Sequence, residues 1–210
     1  MDYFIAFIIA LGLSFVGMVP PGMITMKLVS ISFNKSVKAA ILFALGVTFI
    51  EFFQTIVTLH FSKIFVELVG ENIYIKWTAV AVLVLLAISF LLSKNNKNKG
   101  LDKKELKEIN KRTSFFKGAL LSIVNVLKYP FWIAQGVYFL NNGILKDEKF
   151  FLIIYSLGAL IGSFTMYFLY IKLGKKLLDK FDNLANNMNK ILAVFFLFLA
   201  IIQVINIFNS

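Results

Sequence analysis

A single acid sunk in an apolar stretch is the most reactive feature of this chain. Glu51 sits in Leu45-Gly46-Val47-Thr48-Phe49-Ile50-Glu51-Phe52-Phe53-Gln54. If that stretch crosses a bilayer, a carboxylate at its depth is costly unless paired or protonated, and residues retained at that cost point to function. Glu51 suits proton binding or the capture of a substrate ammonium; a structural hydrogen bond to a neighbouring helix is the alternative. Thr48, Gln54 and Thr55 lie within one helical turn and can share its face. A second charge, Lys128, stands in another apolar stretch beside Asn125, Tyr129 and Pro130. It can pair with Glu51, meet a substrate carboxylate, or snorkel to an interface.

The backbone offers a third feature. Pro20-Pro21 removes two donors and clashes with the preceding turn, and Gly22 admits backbone angles closed to other residues. Carbonyls near Gly17 and Met18 should lose their helical partners. In a membrane such groups must face protein or a wet cavity, so the site is either a broken helix lining a solute path or a packing kink. Pro130 weakens its own helix near Val126 by the same argument.

Other chemistries find no residues. The chain has no cysteine, which excludes disulfides, thiolate metal sites and dithiol redox chemistry. His60 is the only histidine, and one His with one buried acid does not make a transition-metal site. No Ser/His/Asp arrangement, phosphate loop or metal-ligand spacing is present, so no enzyme activity, cofactor or metal is expected.

The elements that must position these residues follow from composition. Hydrophobic residues make up 59% of the 210 positions, against about 45–50% in ordinary soluble domains. They fall in six runs, near 3–33 (interrupted at Pro20-Pro21-Gly22), 39–61, 73–92, 115–140 (with Pro130), 150–173 and 191–208. Each approaches the roughly 20 residues that cross a ~30 Å hydrocarbon core. They are too long and too continuously apolar for the alternating strands of a barrel, so the expected class is an all-α integral membrane protein with six transmembrane helices. The opening Met1-Asp2-Tyr3 lacks the cationic start and cleavage site of a signal peptide.

The net charge of +11 is not a nucleic-acid footprint, because the lysines flank apolar spans, where loop charge and anionic lipid account for them. Lys35 and Lys38, then Lys94 to Arg112, then Lys172 to Lys190 mark the odd-numbered loops. Those loops should be cytoplasmic, which puts both termini outside the cytoplasm of a bacterial inner membrane.

The same runs divide into halves, 1–92 and 115–210, around a basic linker at 93–114 whose middle, Leu101 to Lys111, can form a short surface helix. The prolines fall in the first span of each half. Gly46 lies in one second span, Gly158 and Gly162 in the other. Three spans per half make the second half enter the membrane the opposite way round, the inverted-repeat layout of many secondary transporters.

Taken together these residues resemble the LysE/RhtB family of amino-acid exporters over nearly the whole chain. Pro20-Pro21-Gly22-Met23 is similar to that family's Pro-Gly-Pro motif, with Met23 in place of the last proline. Gly46 and Glu51 resemble its glycine and acid of the second span, Glu replacing the usual Asp. Phe115-Phe116-Lys117-Gly118 leads to Asn125 as in the family's fourth span, but Val126-Leu127 stands where Pro-Lys is expected. The resemblance implies six helices in two inverted repeats and proton-linked export of amino acids or related metabolites. It is also compatible with a homodimer. The expected site joins Glu51, Gln54 and Gly46 with Pro20, Pro21 and Gly22 of the first break and Asn125, Lys128 and Pro130 of the second. A metal-ion exporter of related fold and a non-transporting membrane assembly protein are the rival readings.

Overall fold

The computed structural model describes residues 3–19, 22–69, 73–92, 111–125, 129, 132–133, 135–136, 139, 148–186 and 188–208. These residues are all-α, with no strand among them. In chain order they form α1 (Tyr3–Gly17), α2 (Met23–Asn34), α3 (Val37–Val69), α4 (Ile73–Leu92), α5 (Lys111–Val124), α6 (Lys149–Asn186) and α7 (Met188–Phe208). The linker from 93 to 110 lies outside the described residues.

The apolar runs predict most of these elements. Among the described residues, two helical stretches are by length and composition long and apolar enough to cross a membrane, Val37–Ile64 and Lys149–Gly174. Four shorter apolar stretches, Tyr3–Gly17, Lys76–Leu92, Thr113–Val124 and Phe196–Ile205, occupy the other expected spans. The first span is interrupted as expected: α1 stops at Gly17 and α2 begins at Met23. In the fourth span α5 ends at Val124, where Asn125 N–H donates to the Ser122 carbonyl three residues back at 3.2 Å, and the described residues further along the span, 129, 132–133, 135–136 and 139, are helical again.

Two boundaries differ from expectation. α3 continues to Val69 rather than stopping near Phe61, and α6 continues to Asn186 through what reads as the fifth loop. Lys175-Lys176-Leu177-Leu178-Asp179-Lys180 holds strong helix formers with no proline or glycine to stop the helix. Charge there ends the hydropathy run but not the helix.

α1 lies on α6, α3 packs on both α5 and α6, and α4 lies on α7. Two of these crossings are backbone to backbone. A Cβ on Gly46 of α3 would overlap the Phe115 carbonyl of α5, and one on Gly118 of α5 would overlap the Phe43 carbonyl of α3. Gly158 and Gly162 of α6 stand in the same way against the Phe7 and Leu11 carbonyls of α1. The contacts between α1 and α6 run in the same order along both helices, so these two are parallel. α3 and α5 are likewise parallel, since Gln54 meets Ser122 and Ser62 meets Ile133 further along. Small residues that let backbones approach are the usual basis of helix association in lipid, where apolar burial alone gives little advantage.

Ile24, Leu28, Ile31, Phe43, Val47 and Tyr167 pack α2, α3 and α6 into one core. A second joins Ala6 and Ala10 of α1 to Leu59, Trp132, Phe151 and Tyr155. Outward, Phe4, Phe49, Phe116, Leu120, Phe150 and Phe198 are exposed, an apolar surface of the sort that meets lipid rather than water.

Candidate functional site

The interior of α3 carries an unbroken polar stripe. Thr48, Glu51, Thr55, Thr58 and Ser62 alternate by three and four residues and are all buried. That spacing keeps one helix face, and it runs about 21 Å at 1.5 Å per residue. The hydroxyls donate to their own helix: Thr48 to the Ala44 carbonyl at 3.1 Å, Thr55 to Glu51 at 2.8 Å, Thr58 to Gln54 at 2.8 Å and Ser62 to Thr58 at 2.8 Å. The three threonines use their protons within the helix, Ser62 shares its own with the Ile133 carbonyl at 3.2 Å, and what the oxygens have left to offer is acceptor lone pairs.

Glu51 lies within this stripe at 4% exposure. The Tyr167 hydroxyl of α6 donates to its Oε1 at 2.7 Å, the length of a charge-assisted O–H···O bond. The same hydroxyl lies 3.4 Å from the Met18 sulfur, just past the end of α1. One turn along α6, the Tyr170 hydroxyl donates to the carbonyl of Val19. Glu51 is therefore enclosed by protein, beside the interruption between α1 and α2.

Gln54, one turn further along α3, reaches α5 rather than α6. Its amide donates to the Ser122 carbonyl at 3.0 Å and to the Tyr129 hydroxyl at 2.8 Å, while Ser122 Oγ donates back to Gln54 Oε1 at 3.3 Å. The Ser122 carbonyl belongs to the last turn of α5, where regular helix gives out. Gln54 thus occupies the end of the second broken element as Tyr170 occupies the end of the first.

The expected site residues divide accordingly. Glu51 and Gln54 are brought together with the two helix ends, and Gly46 supplies the close approach of α3 to α5. Asn125 is half-buried directly after α5. Gly22 is placed at the N-cap of α2, where its N–H donates to Thr25 Oγ1 at 2.7 Å and Thr25 donates back to its carbonyl at 2.8 Å. Its φ of −117° and ψ of −171° are extended values that any residue adopts, and a Cβ there would meet nothing within 4 Å. The expectation that Gly22 supplies special backbone freedom is therefore corrected: it serves as a cap. Pro20, Pro21, Lys128 and Pro130 lie outside the described residues. His60 is exposed on α3, away from the buried stripe. Thr48 and Thr55 share the face of Glu51 as expected, but with their protons turned to the backbone.

Tyr167 and Tyr170 are the residues that the sequence reading missed. A signal for them exists. Ser156, Ser163 and Tyr170 recur every seven residues in the fifth span, with Tyr167 between, and all four are buried. That is a polar stripe along α6, and it meets the one on α3 through Tyr167.

No curated protein and no solved structure matches the chain. The sequence model of the LysE type translocators matches residues 15–206, which takes in Gly46, Glu51, Gln54, the Gly22 cap and both tyrosines. With that span covering nearly all of the helical body just described, the chain belongs to the LysE type translocator family, a family of membrane transporters.

Proposed function

We propose that this protein is a proton-coupled secondary transporter of the bacterial inner membrane that exports amino acids or related small metabolites. Six membrane segments carry it: the α1–α2 pair, α3, α4, the segment opened by α5, α6, and α7. Residues 1–92 and 115–210 form two inverted three-helix halves joined by the basic linker at 93–114. The parallel packing of α1 with α6 and of α3 with α5 supports this, because a first span set beside the second span of an inverted half runs in the same direction.

One observation carries the reading: a buried acid lies between two interrupted helices, on a face lined by acceptor oxygens. A carboxylate with hydroxyl lone pairs along its helix suits a solute or ion rich in donors, an ammonium or a proton. Polar groups in a membrane interior are retained where they serve a path, and broken helices near the midplane are where transporters hold substrate. Glu51 binds the proton or the substrate amine in this reading, with Asn125 and Lys128 toward the carboxylate end.

The test uses the purified chain in proteoliposomes loaded with a mixture of radiolabelled amino acids under an imposed proton gradient. Efflux should depend on the gradient and should be lost in Glu51→Gln. The glutamine still accepts from Tyr167, so the variant should fold with an unchanged thermal midpoint in detergent. Undiminished efflux by that variant would remove Glu51 from the mechanism.

A further inference from the structure

We propose that Tyr167 and Gln54 are positioning residues that couple the two helix breaks to each other through Glu51. The hydrogen bonds form a belt across the interior. It starts at the Val19 carbonyl after α1, which accepts from Tyr170. One turn back along α6, Tyr167 donates to Glu51. One turn on along α3, Gln54 exchanges hydrogen bonds with Ser122 at the end of α5 and reaches Tyr129 beyond it. Each broken element is thus held by the helix it lies parallel to, α1 by α6 and α5 by α3, and the two holding helices meet at the Tyr167–Glu51 bond.

The belt has mechanical consequences. A buried polar group stripped of its partner is costly: the Val19 carbonyl would lose Tyr170, and Gln54 would lose Ser122 and Tyr129, so neither helix end moves freely away from the side chain that serves it. α3 and α6 are long, continuous helices, and a displacement of one hydroxyl on them is shared along the rod rather than absorbed. Breaks of this type are hinge positions, where a few residues take up a large backbone change. Glu51 Oε1 is the shared contact: a proton or an ammonium arriving there competes with the Tyr167 hydroxyl, and loosening that bond frees the α6 face that holds Val19. The coupling deepens the transport reading and takes its purpose from it, but it can be measured with no solute present.

Because the chain has no cysteine, single reporters can be placed without background. Met23→Cys stands at the exposed start of α2 beside the first break, and Val124→Cys at the exposed end of α5 beside the second. The maleimide labelling rate of each is measured on the purified full chain in detergent. Gln54→Met, which removes the polar arms at similar volume, should change the rate of the α2 reporter. Tyr167→Phe should change that of the α5 reporter. The expected change at each far reporter is about fivefold, the factor that one hydrogen bond of ordinary strength carries. Thr165→Ala, an exposed position on α6 whose hydroxyl bonds its own helix, sets the unchanged baseline. If Tyr167→Phe does not fold, Tyr170→Phe acts on the same arm with the same expectation. Changes confined to the near reporter, or no change at either, would overturn the coupling. Intact cross-talk with no amino-acid efflux would leave the coupling standing and remove the transport reading alone.

Discussion

At the scale of single residues, the interior separates hydroxyls that have work from hydroxyls that do not. Tyr167 is a phenol whose proton goes to the Glu51 carboxylate, and that bond weakens when the carboxylate loses its charge. Ser14 of α1 and Ser156 of α6 are fully buried, and their hydroxyls have no hydrogen-bond partner among the described residues. A buried polar atom left unpaired costs about 1–3 kcal/mol. Ser156→Ala should therefore leave thermal stability in detergent unchanged or raise it by about 1 kcal/mol, whereas Tyr167→Phe, which strips a donor from a buried acid, should lower it by about 2 kcal/mol. A marked loss in Ser156→Ala would mean that its hydroxyl has a partner. Glu51 was legible in the sequence because a charge inside an apolar run is visible in one dimension. Tyr167 was not, because a tyrosine reads as one more apolar residue until its partner, 116 positions away, is known.

Among the helices, the crossings rather than the lengths decide where the site sits. α3 approaches α5 closely enough that Gly46 and Gly118 each leave no room for a Cβ against the opposing backbone. Gly46→Leu must push the two helices apart, which moves Gln54 off Ser122 and costs about 3 kcal/mol by overpacking. Gly12, in the interior of α1 with nothing within 4 Å of its position, should accept Ala with a change within about 1 kcal/mol. Thermal unfolding of the purified variants separates the two, and a Gly46→Leu protein as stable as the parent would mean that the α3–α5 crossing can slide. Val37–Ile64 and Lys149–Gly174 were legible because an apolar run of bilayer length stands out in the sequence. The ends were not: the extension of α6 to Asn186 is written in helix propensity, which hydropathy does not see, and Gly22 proved to be a cap whose role depends on Thr25 rather than on its own flexibility.

Over the whole molecule, direction is the property that ties the helices together. Tyr3 at the start of α1 donates to Glu148 at the start of α6 at 3.0 Å, and its ring meets Phe150 and Phe151. The beginning of α1 and the beginning of α6 therefore share one side of the molecule. α1 and α6 then run together to the opposite end, where Tyr170 meets Val19. Lys35 stands between α2 and α3, with Lys38 close by in the first turn of α3. In the inverted-repeat reading that cationic turn is cytoplasmic and the Tyr3–Glu148 end is not, because Lys and Arg gather on the cytoplasmic side. Glu148→Cys and Lys35→Cys, both at exposed positions, test this in the cysteine-free background. A membrane-impermeant maleimide should label the Glu148→Cys variant in intact cells, and should label the Lys35→Cys variant only after permeabilisation. The reverse pattern would turn the molecule over and keep the two halves. Labelling of both from outside would place the two ends of α1–α2 on one face, and then six alternating spans could not describe the chain.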